Sequence, residues 1–124
     1  MQLSVDRILV SQAERGGGCL FRRREAQAIG EVHREAMARN NIGAARMELG
    51  EIDRAERDLR SALQNDTDYP IPYFNLAVIA YVRDEPAEGD RLIALAAEKG
   101  YSGGHLDRTI SRVAAAYARI QARG

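Results

Sequence analysis

Cys19, His33 and His105 are the side chains of this 124-residue sequence whose types first suggest nucleophile, base or metal-ligand chemistry. A thiol beside an imidazole can act as a nucleophile and base pair, but such a pair needs a third group to orient the base, and no motif supplies one here. The His33-x-Glu35 spacing is part of a zinc deaminase pattern, yet the paired cysteines that would complete that metal site are missing. His33 therefore reads as a surface helix residue, His105 as part of a polar helix start, and Cys19 as a half-buried thiol beside Leu20 and Phe21. Gly16-Gly17-Gly18 precedes a helix candidate, but the lysine and Ser/Thr of a phosphate-cradling loop are absent. No acid, base and nucleophile set can be assembled, so the chain reads as non-catalytic, with no cofactor and no metal.

Composition narrows the partners. The formal net charge is zero with 29% charged residues, so no global field draws the chain toward nucleic acid or an anionic membrane. Arg22-Arg23-Arg24 and the arginines of the last helix (Arg108, Arg112, Arg119, Arg123) are the basic clusters. Aromatic residues do not interleave with them as single-strand binding requires, so an acidic protein surface suits them better than nucleic acid. Arginine is favoured over lysine almost completely, Lys99 being the single lysine among 18 basic residues, which reads as GC-rich bacterial coding. One cysteine excludes an internal disulfide. Asp6 and Arg7 interrupt what would be the apolar part of a secretion signal, and no apolar run precedes Gly18-Cys19 as a lipoprotein site would need. No stretch reaches the ~20 apolar residues of a membrane span. These features point to a cytoplasmic protein.

The elements that must carry any function are helical. Residues 4–14 can form a short helix with Val5, Ile8 and Leu9 inward, ended by the three glycines. From Leu20 to Gly50 no proline interrupts a helical composition, and a helix boundary is placed near Glu35 to Ala38. Gly50 can adopt the left-handed conformation that ends a helix, and Glu51-Ile52-Asp53 opens the next with acidic groups at its positive end. Asn65 to Asp68 forms a polar turn, Pro70 and Pro72 open a third helix, Asp84-Glu85-Pro86 makes another turn, and Gly100 ends the fourth helix. The last helix, from about His105 to Arg123, carries Leu106, Ile110, Val113, Tyr117 and Ile120 in one apolar stripe.

An internal repeat orders these elements. At an offset of 34 residues, Asn41, Ile42 and Gly43 match Asn75, Leu76 and Ala77, and Ala55, Leu59 and Ala62 match Gly89, Ile93 and Ala96. A unit of this length is one helical hairpin, which must stack on copies of itself to bury its apolar faces. Gly43, Ala55, Ala62, Ala77, Gly89 and Ala96 are the small residues that let paired helices approach closely.

The pattern Arg39-x-x-Ile42-Gly43 with Ala55-x-x-x-Leu59-x-x-Ala62, repeated as Tyr73-x-x-Leu76-Ala77 with Gly89-x-x-x-Ile93-x-x-Ala96, resembles the tetratricopeptide repeat family. The resemblance covers about residues 36–101. It implies an all-α, TPR-like α-solenoid of antiparallel helix pairs: an N-terminal capping segment over 1–35, repeats over 36–69 and 70–101, and a solvating C-terminal helix over 102–124. The sequence departs from the family at Arg39 and Arg46, which replace large apolar residues, and at Thr67 and Tyr101, which replace the closing proline.

The resemblance also implies a role as an adaptor that holds a peptide or helix in a concave groove. Met37, Asn40, Asn41, Ala44 and Met47 would line it from the first repeat, and Ile71, Phe74, Asn75, Val78 and Tyr81 from the second. Asn41 and Asn75 would donate to and accept from a ligand backbone. With Asn40, Ala44, Phe74 and Val78 where a carboxylate clamp places cations, capture of a C-terminal carboxylate is not expected.

One helix departs from simple amphipathicity. Between Tyr69 and Val82, Asn75 is the one strongly polar side chain after Pro70, and a helix apolar all round is buried all round. The side bearing Phe74, Val78 and Tyr81 therefore needs a cover: a terminal segment of this chain, a second protomer or a foreign partner. The second gives the alternative reading, a homo-oligomeric assembly module whose grooves are covered by the partner subunit.

Overall fold

The computed structural model describes residues 18–123, and in these the chain is all-helical. The order is α1 (Gly18–Glu48), α2 (Ile52–Asn65), α3 (Pro70–Val82), α4 (Pro86–Glu98) and α5 (Leu106–Arg123). The expected helix over 4–14 and its glycine terminator lie outside the described residues, apart from Gly18.

Two compact units divide the chain, one through Arg34 and one from Glu35. In the first, the described residues form the leading part of α1, where Ile29 and Val32 are exposed and Gln27 donates to Glu31 one turn on at 3.4 Å. The helix boundary expected at Glu35 to Ala38 is corrected: α1 runs through it unbroken for 31 residues. Physically, the sequence there holds no proline, and Glu35 pairs with Arg39 one turn later at 2.9 Å, which supports helix continuation.

In the unit from Glu35, Met47, Ile52, Leu59, Leu76, Ile79, Leu92 and Val113 form one core. Helix α3 lies at its centre and packs against α2, α4 and α5. All of Pro72 and Phe74 through Ala80 are buried, as its all-round apolar sequence requires. The six small residues named above are buried too. At Gly43 a Cβ would lie 2.9 Å from Cγ of Leu59 and 3.2 Å from the Ala55 carbonyl, so α1 and α2 approach as closely as they do because that side chain is missing.

Three turns end helices in one way. Gly50 donates to the Met47 carbonyl and Glu51 to Arg46; Asp84 donates to Tyr81 and Glu85 to Ala80; Gly100 donates to Ala97 and Tyr101 to Ala96. This paired pattern requires a left-handed residue just after the helix. Gly50 has φ 85°, Asp84 φ 61° and Gly100 φ 106°. The 34-residue spacing of Gly50 and Asp84 thus carries over into backbone geometry.

Arg39 and Arg46, the two departures from apolar character on α1, bridge to α2. Arg39 donates to the Ser61 hydroxyl at 2.9 Å and Arg46 to Asp58 at 2.8 Å. Their stems cover the hairpin flank while their heads stay at its wet edge. Arg83 joins the two hairpins through Glu56 at 2.8 Å and Asp53 at 2.5 Å.

Candidate functional site

The inner stripe of α1 in the compact unit is Ala36, Asn40, Gly43 and Met47, all buried and spaced by four, three and four residues. It faces α3 through a polar clasp: Asn75 Nδ2 donates to Asn40 Oδ1 at 3.1 Å, inside the protein. The Tyr69 hydroxyl also hydrogen-bonds Asn40, while partial burial pushes the Tyr69 pKa up. A clasp of satisfied carboxamides fixes the register of two helices, because a slip would leave buried polar groups unpaired.

The wall expected to need a cover is closed within the chain. Phe74 stacks on Tyr101 with ring centroids 4.7 Å apart, and Val78 is fully buried. Tyr81 is half-buried, its ring against Gly89 and its hydroxyl donating to Asp90 Oδ1. That carboxylate bond pushes the Tyr81 pKa up to about 12.

Helix α5 supplies the rest of the cover. It packs on α3, with Thr109, Val113 and Ala116 buried and Leu106, Ile110 and Tyr117 partly buried against the core. Arg112 makes a two-pronged bond to the Glu48 carboxylate at 2.9 and 3.1 Å, tying α5 to the end of α1 and holding the Glu48 pKa below the ordinary range. At Gly50 a Cβ would fall 2.7 Å from the Ala116 backbone, so α5 passes directly over the α1–α2 turn. Beyond this crossing, Gly50, Ile52, Arg54, Arg57, Tyr117, Ile120 and Gln121 are among the residues bordering an open cleft of about 540 Å³.

The ten candidate binding residues thus separate by burial. Asn40, Met47, Phe74, Asn75 and Val78 lie inside, Ala44, Ile71 and Tyr81 are half-buried, and Met37 and Asn41 are exposed. The expected pairing of Asn41 with Asn75 toward a ligand is corrected: Asn75 is bonded to Asn40, and Asn41 lies on the outside of α1. Sequence reading did not foresee the parts played by Tyr101, Thr109 and Ala116. Tyr101 stood in a glycine-rich loop, and its aromatic ring was the available signal that this loop is pinned.

Other candidates stay apart from this region. His33 is exposed, and His105 is exposed beside Arg108. Among the described residues no group of three or more His, Cys, Asp and Glu is placed to hold a metal ion, and no helix is long and apolar enough to cross a membrane. No protein-family model, curated protein or solved structure matches this chain.

Proposed function

We propose that this chain is a TPR-like module of two stacked helical hairpins that binds a protein segment in the bacterial cytoplasm and performs no chemistry of its own. The observation that carries this reading is the amphipathic α5 lying on the apolar α3 and bonded to the end of α1. A trough that holds one helix by an apolar stripe and a rim ion pair is built to hold helices of that kind. Two further features support the repeat reading: the shared turn geometry at Gly50 and Asp84, and the glycines at the close approaches of α1 to α2 (Gly43) and of α3 to α4 (Gly89).

The surface left to a partner consists of Asn41 and the half-buried Ala44, Ile71 and Tyr81. Photo-crosslinking side chains placed at Asn41 and Ile71, with Ala94 on the exposed side of α4 as the control, test this in the native host. The same protein should be captured from the first two positions and not from Ala94. Capture from none of them, or from all three alike, would count against an adaptor that uses these two positions.

A further inference from the structure

The contacts that seat α5 do not depend on which copy of the chain supplies the helix. They are the stripe of Thr109, Val113 and Ala116 against the core, the Arg112 to Glu48 bond and the passage of Ala116 over Gly50.

The joint is short and sharply bounded. Tyr101 is fastened to Phe74 by ring stacking, so the chain is anchored up to that point. Ser102, Gly103 and Gly104 follow, all exposed, and His105, whose carbonyl accepts from the Thr109 amide and hydroxyl, already caps α5. Fully extended, these three residues span about 10 Å, enough to let the helix leave its seat.

We infer that α5 is exchangeable between copies: two chains open at Ser102–Gly104 and each seats the other's α5 on its own α3. The inference rests on the reading of the trough as a helix seat, and it names the occupant as a second copy of this chain. An opened chain bares both the stripe on α5 and the apolar face of α3, surfaces too apolar to stay wet. Because the seat is chemically identical in both arrangements, only the hinge and the protein concentration decide between them.

The test uses the full chain in a Cys19→Ser background. A tagged Glu48→Cys chain and an untagged Arg112→Cys chain are mixed at high concentration, incubated in mild denaturant, returned to buffer and treated with a short bifunctional maleimide. The tagged–untagged crosslink should exceed, by roughly tenfold or more, the yield from Glu48→Cys mixed with Ala94→Cys, because a swapped pair holds the two thiols at high effective concentration. Equal yields from the two mixtures would overturn the exchange. The unsubstituted chain, taken through the same cycle and sedimented, should show a dimer of unchanged helical signal, and a monomer alone would also overturn it. A single chain carrying Glu48→Cys with Arg112→Cys must crosslink internally. If it does not, the seat itself is wrong and the proposed function falls with it, whereas loss of exchange alone leaves that function standing.

Discussion

Asn40 and Asn75 are polar residues in a place where the surrounding surface is apolar, and their value lies in satisfying each other. Asn75→Leu leaves the Asn40 carbonyl without its amide donor and should destabilise the chain by about 1–3 kcal/mol in urea unfolding. Adding Asn40→Leu should recover part of that loss, since an apolar pair has no unmet bond. At Tyr81 the bond to Asp90 favours the neutral phenol and raises its pKa to about 12. Its stabilising contribution is therefore fully present below about pH 10, the ordinary tyrosine value, and is lost as pH rises through the folded value. Ultraviolet titration of the wild type against Tyr81→Phe should assign the late-ionising tyrosine to this residue, and Asp90→Asn should bring that ionisation to lower pH.

The turns after α1, α3 and α4 show how far local chemistry determines an element. Asp84 does with φ 61° what Gly50 does with φ 85°, and a side chain in that conformation is strained where glycine is not. Asp84→Gly should therefore raise stability by about 0.5–1 kcal/mol, read as an upward shift in the urea midpoint at unchanged slope. Gly50→Ala should do the reverse and more, costing about 2 kcal/mol or above, because its methyl meets backbone atoms of α5 as well as the strained φ. The ion pairs on the helix surfaces, such as Glu35 with Arg39, are exposed and contribute under about 1 kcal/mol each, so they set register more than stability.

For the unit from Glu35, α5 is the cover over the most apolar surface of the chain. Val113 is fully buried on it and Ala115, two residues on, is exposed. Val113→Asp should unseat the helix, with increased binding of an apolar-sensitive dye and concentration-dependent light scattering as the readouts, while Ala115→Asp should change neither. Unchanged dye binding in the Val113 variant would mean that α3 is covered by something other than α5. The same surface explains why the sequence leaves a choice of occupants: Phe74 and Val78 demand a cover of apolar side chains and do not specify whose.

Local signals made much of this legible. The 34-residue register of Gly43 with Ala77 and Ala55 with Gly89 marks the close approaches, Gly50 and Gly100 mark helix ends, and the composition of Tyr69 to Val82 marks a helix buried through its centre. Each follows from sterics or hydrophobic periodicity within a few turns of chain. The boundary near Glu35 was misread because nothing in the sequence breaks α1 there, and the bond of Asn75 to Asn40 was not foreseen because repeat register gives equivalent positions and does not say which neighbour each one meets. Which carboxamide meets which, that Tyr101 stacks on Phe74, and that α5 folds back onto α3 were decided only in three dimensions. Those contacts join residues 27 to 64 positions apart, and hydrophobic burial, having no direction of its own, leaves their choice to how whole helices fit together.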